Sequence, residues 1–102
     1  MSDEKRSHDR VPVVLEVLWD GAAGKDRART TDLSEGGCFI DSLGHVAVGQ
    51  ILNLRLLLPG GELIAVEAEV IYEMPQFGFG VRFLKLAEDD EQRLKDLLDA
   101  GN

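Results

Sequence analysis

Two short stretches hold residues whose types and spacing suit them to recognition chemistry. The first is Thr31-Asp32-Leu33-Ser34-Glu35-Gly36-Gly37. In an extended chain Asp32 and Ser34 project to one face, while Leu33 between them projects inward. Gly36 and Gly37 admit the positive φ that a bulge or sharp reversal requires. The product is a polar platform of one carboxylate, one hydroxyl and bare backbone, suited to a planar ligand with N–H donors. The second stretch is Arg6-Ser7-His8-Asp9-Arg10, with two guanidinium groups four residues apart. It supplies the cations that the platform lacks. Both stretches also admit a plainer reading. Asp32 and Ser34 can bond only to their own turn, and the arginines can belong to a solvated tail neutralised by Asp3, Glu4 and Asp9.

The rest of the chain must position these groups. Residues 1–10 are almost wholly polar, lack apolar periodicity and are expected to form a flexible arm. Residues 11–102 are expected to form a single domain. Pro12 opens a strand in which Val13, Leu15, Val17 and Trp19 alternate with Val14, Glu16, Leu18 and Asp20. Asp20-Gly21 and Gly24 flank a turn. Lys25 to Asp32 is polar but extended in character, with Thr30 and Thr31 favouring strand. Cys38, Phe39 and Ile40 follow the glycine turn as a short strand, and Asp41 to Gly49 is a loop. Leu52, Leu54, Leu56 and Leu58 share one face of the next strand. Pro59-Gly60-Gly61 then turns the chain back as a hairpin. Val66, Ala68, Val70 and Tyr72 form the inward face of the returning strand, which Pro75 ends. Phe79, Val81 and Phe83 face inward on a last strand, with Arg82 outward. After Leu86 the period changes. Asp89, Asp90 and Glu91 suit a helix amino terminus, and Leu94, Leu97 and Leu98 lie on one helical stripe from about Glu88 to Ala100. The expectation is an all-β fold with one helix: a six-stranded antiparallel β-barrel with a C-terminal α-helix over one opening.

The pair of motifs carries a resemblance. Arg6 and Arg10 fit an RxxxR pattern, and Asp32, Ser34 and Gly37 fit a [D/N]xSxxG pattern a short strand downstream. Gly78-Phe79-Gly80-Val81-Arg82-Phe83, followed by an acidic helix start, extends the match over nearly the whole chain. The sequence thereby resembles the PilZ domain family, whose fold is this barrel and which binds the bacterial second messenger cyclic di-GMP. The resemblance implies that Arg6 and Arg10 clamp bases and phosphates. A guanidinium can bond guanine O6 and N7 together, stack on a purine and offset phosphate charge. It implies that Asp32 accepts from the guanine N1–H and exocyclic amine, that Ser34 adds a bond to base or phosphate, and that Gly36 and Gly37 leave the backbone open to close approach. Family members bind one ligand or a stacked pair, and the residue before RxxxR discriminates. Here it is Lys5, a flexible cation that can move aside and offset added phosphate charge, so two molecules per chain are expected. The implied role is an effector or adaptor in motility or biofilm regulation. It reports cyclic di-GMP to an unidentified protein partner through closure of the arm.

Composition bounds the alternatives. A chain of 102 residues is one domain with a modest core. Its formal net charge of −8 argues against long DNA or RNA as a ligand. A groove for single-stranded nucleic acid would also need exposed aromatics among basic residues. Cys38 is the only cysteine, so no internal disulfide forms. No apolar run follows the start methionine, so no signal peptide is expected, and no apolar run is long enough to span a bilayer. A cytoplasmic location without membrane insertion is expected. His8 and His45 lack a ligand cluster and no nucleophile–base arrangement is recognisable, so neither a metal, a cofactor nor enzymatic activity is expected. The remaining alternative is a PilZ-like protein–protein interaction module that does not bind nucleotide.

Overall fold

The computed structural model describes residues 11–21 and 24–100. Among these described residues six strands and one helix follow in order: β1 (Glu16–Gly21), β2 (Gly24–Leu33), β3 (Gly37–Asp41), β4 (Ile51–Leu57), β5 (Leu63–Met74), β6 (Gly78–Lys85) and α1 (Glu88–Ala100). Every pairing is antiparallel. The order β1-β2-β3-β6-β5-β4 closes on itself through β1 and β4, giving the expected six-stranded barrel with a C-terminal helix. Closure leaves no unpaired sheet edge.

The alternating pattern places the core. Val17, Leu33, Ile40, Leu52, Leu56, Ile64, Ala68 and Val70 lose all contact with solvent inside the barrel. Trp19 packs edge-on against Phe79, with ring centroids 5.4 Å apart and planes at 83°. Cys38 is buried within the same core, on the inward side of β3. A thirteen-residue helix is marginal in isolation. α1 persists because Leu94 and Leu98 join the barrel core, while Leu97 is half-buried against it. Burying two leucines is worth about 3–6 kcal/mol before entropy is counted. Among the described residues, no helix is long and apolar enough to cross a membrane.

Two local departures from simple alternation matter for the site. The first strand begins at Glu16 and not just after Pro12. Thr30, fully buried on β2, intercepts the segment before it. Its Oγ1 accepts from the Leu15 N–H at 2.9 Å and donates to the Val13 carbonyl at 2.8 Å. The side chain thus replaces ladder bonds that a continuing strand would have made. The second departure is at Tyr72, which faces solvent and not the core. The register of β5 against β6 slips between Val70 and Tyr72. A bulge inserts one residue and so moves every following side chain to the other face.

Candidate functional site

The turn between β2 and β3 is built by its own serine. The Ser34 hydroxyl accepts from the N–H groups of Gly36 and Gly37, each at 3.2 Å, and donates to the Gly37 carbonyl at 3.2 Å. The Ser34 N–H also donates to that carbonyl, at 2.9 Å. A hydroxyl offers one donor and two acceptor positions, so the turn fills them all. Ser34 therefore shapes the site from a buried position. Asp32 lies half-buried at the end of β2, where its Oδ1 accepts from the Phe39 N–H at 3.2 Å.

Gly37 is required for a different reason from the positive φ expected of the two glycines. Neither is among the described glycines with positive φ. A Cβ on Gly37 would lie 2.1 Å from the Val81 carbonyl oxygen. The backbone that approaches Gly37 is thus β6 itself. The Gly36 carbonyl accepts from the Phe83 N–H at 2.8 Å, which locks the turn to the same strand. The turn is a fixed part of the barrel wall.

Register places further groups around this turn. Asp32 stands opposite Phe39, Phe39 opposite Gly80, and Gly80 opposite Tyr72, so one row crosses four strands on the outer face. Gly80 leaves room for the Tyr72 ring to lean across it, and Phe39 and Tyr72 stack with centroids 6.0 Å apart. Two residues along β6, the next outward row joins Gly37, Arg82 and Glu69. A cleft of about 400 Å³ is lined there by Ser34, Gly36, Gly37, Ile71, Val81, Arg82 and Phe83. Sequence reasoning overlooked Phe39 and Tyr72 as site residues. An aromatic at Phe39 beside the motif was the available signal, whereas Tyr72 is brought there by the bulge. A second concavity, of about 320 Å³, lies across the barrel between Leu18, Arg27 and Arg55. It contains no motif residue, and its arginines share it with Asp20 and Asp26.

Lys5, Arg6 and Arg10 lie outside the described residues. Their sequence neighbour Val11 does not. Its N–H donates to the Leu33 carbonyl at 2.8 Å, and its carbonyl accepts from the Leu33 N–H at 2.9 Å. The residue that follows Arg10 is therefore pinned between Asp32 and Ser34. The Thr30 clasp holds the next four residues to the same strand.

A search of curated proteins finds no match. Solved structures share the fold. The Bacillus subtilis inhibitor of motility (MotI/DgrA) superimposes with a TM-score of 0.78 at 22% identity, over 94% of this chain and 50% of that one. The chain therefore spans half the length of that protein. The PilZ domain of YcgR from Escherichia coli, solved with c-di-GMP, gives 0.75 at 15% identity, over 95% of this chain and 91% of that one. The PilZ domain of CeSA from a cellulose-synthesizing bacterium gives 0.67 at 21% identity, over 90% and 96%. The family model of the PilZ domain matches residues 4–100, a span that includes the RxxxR stretch, the glycine turn, the barrel and the helix, and the chain belongs to that family.

Proposed function

We propose that this protein is a cyclic di-GMP receptor without catalytic activity of its own, which passes the binding event to a partner protein in the cytoplasm. The observation that carries this reading is the pairing of Val11 with Leu33. It ties Val11, the residue that follows the RxxxR stretch, to Leu33 between Asp32 and Ser34, which supports reading the two motifs as one site. The Escherichia coli YcgR domain, solved with c-di-GMP, supports the same ligand.

In this mechanism a guanine presents its N1–H and exocyclic amine to the Asp32 carboxylate. The Phe39–Tyr72 pair offers an apolar shelf beside it for a base face. Ser34, Gly36 and Gly37 hold the turn so that Asp32 keeps its place. Arg6 and Arg10 close from the arm onto guanine O6 and N7 and onto the phosphates. Ordering the arm costs chain entropy, which the charge-assisted bonds must exceed. The ordered arm is the new surface that a partner reads. Lys5 in front of the motif favours two ligands per chain. The Bacillus subtilis structural relative, named as an inhibitor of motility, makes motility or biofilm control the setting of choice.

Calorimetric titration with cyclic di-GMP, with GTP and cyclic di-AMP as controls, tests the reading. Saturation at two molecules per chain is expected, with no heat from the controls. Arg10→Ala is expected to lose about 1.5–3 kcal/mol of binding free energy with its melting temperature unchanged. Absence of binding by the unaltered protein would leave an interaction module that does not use nucleotide.

A further inference from the structure

We infer that Arg82 is a phosphate-binding residue of this site, held in reserve by Glu69 until an anionic ligand arrives; the inference rests on the cyclic di-GMP reading above. Arg82 stands on the outer face of β6, opposite Gly37 on one side and Glu69 on the other. Among the described residues it is the only cation lining the cleft that Ser34, Gly36 and Gly37 form. Its Nη2 donates to Glu69 Oε1. The arginine side chain is 58% exposed, so the guanidinium is reachable from solvent and its ion pair is a weak hold. A phosphodiester offers the same two-oxygen edge as a carboxylate and suits the same planar fork. Exchange of Glu69 for phosphate therefore keeps the guanidinium paired throughout.

Charge gives the exchange its purpose. The protein carries −8 overall, and the turn itself bears Asp32 and Glu35. A dianionic cyclic dinucleotide meets repulsion there unless cations offset it. Lys5, Arg6 and Arg10 lie outside the described residues, whereas Arg82 is built into the barrel wall. Arg82 presents a positive charge at the cleft whatever the arm does. For a stacked pair of ligands, with roughly four phosphate charges, it supplies the fourth cation.

The test is a double-mutant cycle read by calorimetric titration with cyclic di-GMP. Arg82→Gln is expected to bind about tenfold more weakly, with a shallower salt dependence and a melting temperature within about 2 °C of the unaltered protein. Glu69→Gln is expected to bind about two- to fivefold more tightly, because it releases Arg82 and removes a competing anion. In the double variant the gain from Glu69→Gln should shrink, which a merely structural ion pair would not produce. Binding by Arg82→Gln with unchanged affinity and salt dependence would overturn the inference and leave the receptor reading intact. No binding by the unaltered protein would overturn both.

Discussion

Two turns of this barrel contain a pair of adjacent glycines, and the second glycine of each is needed for an opposite reason. At the tip of the β4–β5 hairpin, the Leu58 carbonyl accepts from the Gly61 N–H at 2.9 Å, and the Leu58 N–H donates to the Glu62 carbonyl at 2.8 Å. Gly61 has φ +94°, and no atom lies within 4 Å of where a Cβ would stand on it or on Gly60. That turn needs a conformation and has space to spare. At Gly37 the conformation is ordinary and the space is missing, because Val81 lies where a side chain would go. A free hairpin tip can move without consequence for the wall below. The motif turn cannot, and a rigid base is what the ligand contact proposed for Asp32 would require.

Substitutions at the two turns break or sharpen the contrast. Gly37→Ala is expected to be the most damaging. A methyl group 2.1 Å from a backbone oxygen must push β3 and β6 apart. The cost should be about 3 kcal/mol or more, or a fall in melting temperature of roughly 12 °C. A loss below about 1 kcal/mol would show that the wall gives way there and that the turn is not rigid. Ser34→Ala strands two N–H groups of the turn and should cost about 1–3 kcal/mol in a thermal melt. Its affinity for cyclic di-GMP should fall less than that of Asp32→Ala, since the hydroxyl acts through the turn. Gly61→Ala should cost about 1 kcal/mol, with Gly61→Asn recovering part of it, because only the backbone angle is at stake. Ligand affinity should not change in either variant. Gly60→Ala should stay within about 0.5 kcal/mol, and a larger loss would mean that the hairpin tip is crowded after all.

The fold was largely legible because the apolar alternation is strong. Leu52, Leu54 and Leu56 on one strand, and Val66, Ala68 and Val70 on the next, fall inside the barrel as their spacing predicts. The change to helical spacing after Leu86 is matched by α1, with Leu94 and Leu98 buried. What was not legible depends on pairing between distant residues. The fate of Tyr72 hangs on a register slip against β6, which period-two reasoning along β5 cannot contain. Thr30 favours strand by its residue type, yet its hydroxyl bonds backbone groups 15 and 17 residues away. Gly37 shows the same limit. Its residue type was expected to matter, but the reason lies in a strand that arrives more than forty residues later. At the site, the motif residues were visible one by one. The Phe39–Gly80–Tyr72 row and the Arg82–Glu69 pair emerge only when three strands lie side by side.

The bond pair between Val11 and Leu33 sets a length scale. Five residue steps separate Arg6 from Val11, so Arg6 stays within about 18 Å of that anchor on any path the chain takes. If a nucleotide is seated at Asp32 as proposed, recruitment of both arginines would be an intramolecular event, at an effective concentration in the millimolar range. Dilution of the protein does not weaken it. Under the proposed function, the number of copies in the cell would set how many such sites exist, not how tightly each one closes.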